Sequence, residues 1–448
     1  MSDNITRELA EYAMSTSVND LPPVVLERTK QIIFDESFCA VYGRKLPSGD
    51  LTARYALQMG GSGKSTIHGA NVKTSAPFAA LANGTAGHAD EVDGTHVVGG
   101  HPGATVVHAA VAVAQEVRST GGELINAVAL GYDVANRLVR SCGGVFGVKS
   151  RFQVHADFLH SLGAAVAASR LHGLSPEKAS DAMALATFQA NGLVALFGER
   201  RHVSKSFCHG QYAFAGVSAA AQSLIGLEGC TDILGAPGGA LAAWGVEDAG
   251  RILMKDLGTD YMVMGANFKF INAGYPIHTA IEATMSLARD HAIDPSRIDR
   301  IEVRMPTNPL RVVDNRDMHN ICLQDMLAAA LTNGGLSLAS RPFPEVLGNP
   351  RYVDLRNRIS LIPDPELDGE RPSGRCSIVT IKIDASTEWT RRIDWPKGHS
   401  ELGGTTWEDL ADKWGEALPA VNVARPIFLT QHLDELDDVE SLVASFED

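Results

Sequence analysis

Residues 161–171, SLGAAVAASRL, are small or apolar at nearly every position. A helix that is apolar all round belongs in a protein interior, where its neighbours can pack closely against it. We therefore expect a central helix here. A further helix is predicted to begin at Ser175 and Pro176, which suit the N-cap and the first helical position. Outward from this centre, helical patterns predict further helices over 5–14, 24–41, 104–117, 124–139 and 210–225.

The periodicity changes near residue 298. From there, alternation of apolar and polar residues, typical of half-buried strands, marks the segments 301–305, 379–383 and 389–395. Two helical patterns accompany these strands, over 276–289 and 321–332. This combination predicts a small α+β region after a long helical one.

The fold class that follows is mostly α, with a large all-helical domain and a smaller α+β domain. We place the all-helical domain at 1–266 and the α+β domain at 267–397. The segment 398–448 turns helical again from Thr406, and we expect it to complete the first domain. No internal repeat is visible.

The composition narrows the class of protein. The chain has 448 residues and a formal net charge of −14, which argues against a nucleic-acid partner because such a partner needs a basic face. It shows no long apolar run and no basic-then-apolar leader, so we predict neither a membrane span nor a secretory signal. Its six cysteines include no C-x-x-C pair, which argues against a zinc ribbon or a dithiol site. We expect a cytoplasmic globular protein.

The densest polar cluster lies at 88–103, HADEVDGTHVVGGHPG, with histidines and carboxylates close together. One interpretation is a metal site, although the spacing matches no H-E-x-x-H pattern. A second is acid/base chemistry, in which a carboxylate and a histidine move a proton. A third is a capped, solvated loop.

Two further segments carry cations. The first, 199–205 (ERRHVSK), places Lys205 just before an apolar helix, whose positive end suits an anionic ligand. A solvated loop is the alternative there. The second, 269–278 (KFINAGYPIH), brings Lys269, Tyr275 and His278 together and could line a cleft between domains. Taken singly, His278 also suits a core histidine.

Taken together, these segments resemble the MmgE/PrpD family, which includes 2-methylcitrate dehydratase, cis-aconitate decarboxylase and iminodisuccinate epimerase. Residues 82–96 resemble its A-N-G-x-x-x-H-A-L-D-F-D-D-T-H block, and 101–103 its H-P-G or H-P-S. The segment from Lys205 through Gly210 to Gly216 resembles the family lysine segment. The remaining blocks are 269–278, which keeps the K-x-Y-P…H spacing, 321–334, which resembles the helix ending in L-L-D-G, and 395–399, which resembles P-x-G-H.

The resemblance implies site residues position by position. The family's acid/base Asp falls on Glu91, and its active-site histidine after the loop falls on His101. Its two substrate-facing lysines fall on Lys205 and Lys269. The second active-site histidine falls on His155, with His160 as the alternative.

The resemblance also implies where substrate is bound. Asp325 stands where the family has a Tyr on the L-L-D-G helix, and this departure leaves the substrate and the reaction open. We assign substrate binding to Arg200, Tyr275, His278 and Asp325. The family further implies a homodimer that needs no metal or organic cofactor.

The chemistry common to the family is proton transfer at the carbon next to a carboxylate. Cations aimed at the carboxylate oxygens stabilise the enediolate that forms. We therefore expect a cofactor-independent lyase that resembles 2-methylcitrate dehydratase and acts on a di- or tricarboxylate. Epimerisation or decarboxylation of a related dicarboxylate is the first alternative, and a non-catalytic carboxylate-binding homologue is the second.

Overall fold

The computed structural model describes residues 4–147, 153–244, 248–338, 348–369 and 375–447. The chain forms two compact units. Unit 1 comprises Met1–Ala89, Asp93–Asn267 and Pro419–Asp448, and unit 2 comprises Asp90–Val92 and Phe268–Leu418. Helices predominate and strands are few, which confirms the mostly α fold class. Among the described helices, none is both long and apolar enough to cross a bilayer.

Unit 1 is built almost entirely from helices. In chain order they are α1 (Ile5–Ser15), α2 (Pro23–Gly43), α3 (Pro47–Met59), α4 (Ala76–Gly87), α5 (Pro102–Val117), α6 (Gly121–Ser141), α7 (His160–Leu171), α8 (Pro176–Gln189), α9 (Ser204–Leu224), α10 (Ala240–Ala243) and α11 (Ala249–Met254), followed near the C-terminus by two more that are labelled below. Short antiparallel pairs join β1 (Ser65–Ile67) to β2 (Val72–Thr74) and β3 (Thr95–His96) to β4 (Ala266–Asn267).

Helix α7 is the central helix that the sequence predicts, and every residue from His160 to Ser169 is buried. It packs on α6, where the two backbones approach closely. A Cβ built on Gly163 would lie 2.3 Å from the carbonyl oxygen of Gly131. Glycine is therefore required at this crossing because the obstacle is backbone, which cannot rotate away.

Helix α9 packs against α4, α7 and α8. Its contact with α4 again depends on glycine, because a Cβ on Gly210 would lie 2.3 Å from the Leu81 carbonyl oxygen. This close packing fixes the first turns of α9, which carry Lys205, inside unit 1.

Unit 2 combines helices with a four-stranded sheet. Its elements are α12 (His278–Asp290), β5 (Arg300–Met305), α13 (Thr307–Val313), α14 (Leu323–Asn333), α15 (Pro350–Asn357), β6 (Ile359–Pro363), β7 (Ser377–Lys382), β8 (Glu388–Ile393) and α16 (Trp407–Ala417). The strand order is β6-β5-β7-β8, with β5 parallel to β6 and the other neighbours antiparallel. Alternate residues of β5 and β7 are buried, and Val303 lies opposite Val379.

The chain returns to unit 1 at Pro419, whereas the sequence placed this return at 398. Helix α16 belongs to unit 2 because Lys397 pairs with Asp409 at 2.7 Å and the Lys413 ammonium reaches the Val92 carbonyl at 3.4 Å. Of the helices that the structure describes, α17 (Ala424–Gln431) and α18 (Glu440–Ser445) follow Pro419 and complete unit 1. A helical pattern alone does not tell which unit a helix joins.

Candidate functional site

In unit 1 a single buried carboxylate is shared by two histidines. Asp93 lies 3.0 Å from Nδ1 of His88 and 3.0 Å from Nδ1 of His101. The same His101 nitrogen lies 3.1 Å from the Gly94 carbonyl oxygen. Because carboxylate and carbonyl oxygens only accept, each ring must donate from Nδ1. In their neutral forms both rings therefore present Nε2 as the basic nitrogen.

The electrostatics of this group are set by burial and by the histidines. Burial acts to raise the pKa of Asp93, but His88 and His101 together outweigh it and hold that pKa well below its ordinary value. Burial lowers the pKa of His88, and the positive charge of Lys205 lowers it further. Asp93 is therefore ionised at neutral pH and His88 is neutral. An ionised Asp93 stabilises a protonated His101 when a proton arrives.

Helix α9 contributes further polar groups to the same part of unit 1. It begins six residues earlier than the sequence predicts, because the Glu199 carboxylate accepts the backbone N–H groups of Ser204 and Lys205 at 2.7 and 2.9 Å. Lys205 thus lies in the first turn, and His209 follows it on the same helix face. The His209 ring centroid is 4.2 Å from that of His88 and 5.4 Å from that of His101.

A second buried carboxylate of unit 1, Asp157, lies beside both candidates for the second active-site histidine. Its oxygens are 3.4 Å from Nδ1 of His155 and 3.8 Å from Nδ1 of His160. Burial acts to raise the pKa of Asp157, but the surrounding histidines hold it well below its usual range, and burial lowers the pKa of His160 to about 4. The structure keeps both histidines as candidates.

In unit 2 the centre of the candidate site is a buried ion pair. The Lys269 ammonium lies 2.9 Å from Oε2 of Glu91 and 3.0 Å from the Glu91 carbonyl oxygen. Both side chains are buried. Asp90 and Glu91 have φ values of +66° and +60°, a strained region for residues other than glycine, and such strain is frequent at functional sites. The amides of Asn272 and Asn320 hold this turn by donating to Asp90.

Two more of the predicted residues lie in the same unit. Nε2 of His278 lies 3.0 Å from the Ala273 carbonyl oxygen and must donate to it, and the rings of Tyr275 and His278 are 5.4 Å apart. Burial lowers the pKa of His278 to about 3, and the charge of Lys269 lowers it further. His278 is therefore a neutral imidazole beside the ion pair at physiological pH.

Comparison with known proteins identifies the family of the chain. The MmgE/PrpD N-terminal domain matches residues 7–248, and the MmgE/PrpD C-terminal domain matches residues 272–426. The chain belongs to the MmgE/PrpD family. This confirms the resemblance found in the sequence, and the two domain matches together span most of the chain.

Relatives with known names are distant but align over nearly the full length. The chain is 26% identical to the cis-aconitate decarboxylase of Homo sapiens, covering 99% of this chain and 94% of that protein. It is 24% identical to the cis-aconitate decarboxylase of Mus musculus, with 99% and 93% covered. For the cis-aconitate decarboxylase of Aspergillus terreus (strain NIH 2624 / FGSC A1156) the identity is 23%, with 89% and 86% covered.

Two of the residues that we assigned to substrate binding, Arg200 and Asp325, do not belong to the buried groups described above. Arg200 lies at an exposed position in unit 1. Asp325, where the family has Tyr, is buried at the start of α14, and its carboxylate is paired with the Arg356 guanidinium and contacts Nδ1 of His319. An ionised carboxylate repels an anionic substrate and offers no hydrogen-bond donor to it. Its assignment to substrate binding stays a prediction.

Ligands for a metal ion remain within the segment 88–101. His88 and His101 have their Nδ1–H groups fixed by Asp93, an arrangement that also accompanies metal-bound histidines. Nε2 of each ring is the atom that such an ion would bind. In unit 2 the Glu91 carboxylate is already paired with Lys269, which competes with metal binding there.

Several residues that lie in the polar groups of the two units were not identified from the sequence. His209 carries a usable signal, since it lies four residues after Lys205 on a predicted helix. Asp157 lies between the two candidate histidines in the chain, and its role could have been suggested by that position. His399 ends the block 395–399 that resembles the family's P-x-G-H, so a signal was present there, whereas Arg375 carries none. The fold brings both residues beside Tyr275 from distant parts of unit 2.

Proposed function

We propose that this MmgE/PrpD protein is a lyase that transfers a proton at the carbon next to a carboxylate of a di- or tricarboxylic acid. The observation that supports this most strongly is the Asp93–His101 pair, which presents a basic Nε2 and stabilises the protonated ring. The family match and the names of the relatives support a lyase or decarboxylase type of activity.

Each residue has a stated role in this proposal. His101 takes or delivers the proton, and Asp93 positions it. Lys205, in the first turn of α9, stabilises the negative charge of the enediolate, an effect that is large where water is excluded. His155 or His160, each beside Asp157, is the second proton carrier.

In unit 2 we assign Glu91 to proton transfer and Lys269 to carboxylate binding. An ammonium group has three N–H donors, and two of those on Lys269 are directed at Glu91. The third has no acceptor among the residues that the structure describes and is available for a substrate oxygen. Glu91 neutralises the buried lysine and holds it in place at the same time.

The finer proposal is decarboxylation, since the relatives named above are cis-aconitate decarboxylases. In that reaction the bond between a carboxylate and its carbon breaks and carbon dioxide leaves. The electron pair passes into the carbon chain next to a remaining carboxylate, and an imidazolium then delivers a proton to carbon. Cis-aconitate is the substrate that we would test first.

The family resemblance supports dehydration of 2-methylcitrate as the second candidate. There a base removes the proton next to a carboxylate, hydroxide leaves with a proton from an acid, and a double bond forms. Epimerisation would return the proton to the opposite face of the same carbon. The same side chains of this protein can serve all three outcomes.

The experiment is a turnover assay with purified protein and separate samples of cis-aconitate and 2-methylcitrate. Products are identified by mass spectrometry as having lost carbon dioxide, lost water or kept their mass. We expect turnover in at least one sample, abolished by His101→Gln and unchanged by His172→Gln at the end of α7. Added chelator should leave the rate unchanged. Saturable binding of these acids without turnover would instead favour the non-catalytic homologue.

A further inference from the structure

Unit 2 contains a group of hydrogen-bond donors, two of them buried, to which the proposed mechanism gives no role, although the family resemblance already assigns one of them, Tyr275, to substrate binding. It consists of Tyr275, Arg375 and His399. The ring centroids of Tyr275 and His399 are 6.3 Å apart, and Cζ of Arg375 lies 5.4 Å from the centroid of the Tyr275 ring. Tyr275 is 4% exposed and His399 is fully buried. These residues reach one place from three separate parts of the chain.

The histidine of this group is a fixed donor. Nδ1 of His399 accepts the backbone N–H of Glu401 at 3.1 Å, so the neutral ring carries its proton on Nε2. The ring also stacks on Trp395, with centroids 4.1 Å apart, which sets its orientation. Burial lowers the pKa of His399 to about 4, and the ring is therefore neutral at physiological pH. Its Nε2–H is buried without a hydrogen-bond partner among the described residues.

The tyrosine is a donor for a related reason. Burial raises the pKa of Tyr275, so its hydroxyl keeps the proton. That hydroxyl also is buried without a hydrogen-bond partner in the described part of the chain. The third member, Arg375, is held by its backbone, since the Thr279 hydroxyl of α12 donates to its carbonyl oxygen at 2.6 Å. Its guanidinium adds a positive charge and has no acceptor atoms.

A buried donor without a partner is costly, and native proteins contain few of them. Here two such donors lie beside one guanidinium, so the local demand is for an anion that only accepts hydrogen bonds. A carboxylate has this chemistry, with two oxygens and about four lone-pair positions. From this geometry we infer that Tyr275, Arg375 and His399 form a carboxylate subsite of unit 2.

This inference rests on the proposed function in one respect. The ligand of the subsite is taken to be one carboxylate of the same di- or tricarboxylate. The subsite would then select substrates with more than one carboxylate, because a monocarboxylate can occupy only one set of donors. Specificity of this kind is strong when it depends on pairing buried polar groups.

The test is calorimetric titration of the full chain with propane-1,2,3-tricarboxylate and, separately, with butanoate. Tyr275→Phe removes only the hydroxyl and should weaken binding of the tricarboxylate by roughly tenfold or more. His399→Leu should do the same, and His399→Gln, whose amide N–H can replace Nε2–H, should restore part of the affinity. Binding of butanoate should change little in every variant. Tyr12→Phe is the matched control, since it removes a hydroxyl bonded to Asp133 in unit 1.

Thermal unfolding of each variant shows whether it is folded before its titration is interpreted. The inference is overturned if the tricarboxylate binds all folded variants as tightly as the wild type, if both acids lose affinity equally, or if the wild type binds neither. Turnover measured in parallel separates the two proposals. If the wild type is active and Tyr275→Phe binds the tricarboxylate as tightly as the wild type, the subsite alone is rejected. If the variants lose affinity for the tricarboxylate but not for butanoate, and no acid is turned over, the lyase is rejected and the subsite is kept.

Discussion

At the scale of single residues, the histidines of unit 1 depend on the two buried carboxylates beside them. Asp93 fixes the tautomer of His101 through Nδ1, and Asp157 lies next to His155 and His160. A histidine without such a partner rotates and exchanges tautomers, which misplaces the basic nitrogen. The sequence indicates the histidines through the resemblance, but it does not tell which carboxylate each one uses.

Replacing Asp93 by Asn tests this dependence. Asn replaces one carboxylate oxygen by an NH₂ group. Nδ1 of His88 lies 3.0 Å from both oxygens, so this donor meets the Nδ1–H of His88 in either orientation, and the ring must turn to its other tautomer. By analogy with catalytic triads, we expect kcat/KM to fall by roughly 10²–10⁴-fold. Asp50→Asn, at a partly exposed ion pair with Arg44, is the control. A fully active, folded Asp93→Asn variant would remove Asp93 from the mechanism.

The buried ion pair of unit 2 makes a prediction about stability. Lys269→Met leaves the Glu91 carboxylate buried without its counter-ion, which should lower the free energy of unfolding by about 3–5 kcal/mol. The double variant Lys269→Met/Glu91→Gln carries no buried charge and should regain part of that loss. Denaturant unfolding of the three proteins measures this. Equal stability of the single variant and the wild type would mean that Glu91 is solvated or protonated.

The buried side chain of His96 leads to a prediction of how the stability of the protein depends on pH. Its Nε2–H donates to the Met262 carbonyl oxygen at 2.6 Å, and its Nδ1 accepts the Val98 N–H at 3.2 Å. Burial lowers its pKa from 6.5 to about 4. Between pH 4 and pH 6.5, His96 is protonated in the unfolded chain and neutral in the folded chain. The contribution of the neutral ring to the free energy of unfolding is therefore complete above pH 6.5. About 3 kcal/mol of that free energy is lost as the pH falls to 4.

The measurement is the free energy of unfolding at several pH values between 4 and 7.5, for the wild type and His96→Gln. The variant should be less stable at pH 7.5, and its stability should fall less steeply with acid. Parallel curves would show that His96 has an ordinary pKa in the folded protein.

At the scale of elements, helix crossings in unit 1 are set by glycine. Gly163→Ala would place Cβ 2.3 Å from the Gly131 carbonyl oxygen, so α6 and α7 must move apart. We expect a loss of about 1–3 kcal/mol in the free energy of unfolding. Gly122→Ala is the matched control, because its Cβ meets nothing within 4 Å and alanine favours a helix. Equal melting temperatures for both variants would contradict the tight crossing.

A helix or strand can be predicted from the sequence when the local pattern of apolar and polar residues determines it. Helix α7 and strands β5, β7 and β8 follow from periodicity, which reports the buried face directly. Strand β6 was not predicted. Its residues Ile359–Pro363 do not alternate between buried and exposed positions, so the sequence lacks the alternation by which the other strands were found. The start of α9 was placed too late because its cap, Glu199, is a side chain outside the helix.

At the scale of the whole molecule, the chain passes between the two units more often than the sequence predicts. Asp90–Val92 belongs to unit 2 although both flanking segments belong to unit 1, and the last return is at Pro419. Such crossings depend on tertiary contacts, which periodicity does not report. The residue assignments from the family resemblance and the homodimer remain predictions.

His101 is the residue that we propose moves a proton to or from carbon. The most direct test is turnover of cis-aconitate in D₂O, with the product examined by nuclear magnetic resonance. We predict that the wild type incorporates deuterium at a carbon next to a carboxylate, and that folded His101→Gln forms neither product nor deuterated substrate. Product formed without deuterium, or deuterium incorporated at the wild-type rate by His101→Gln, would contradict the account.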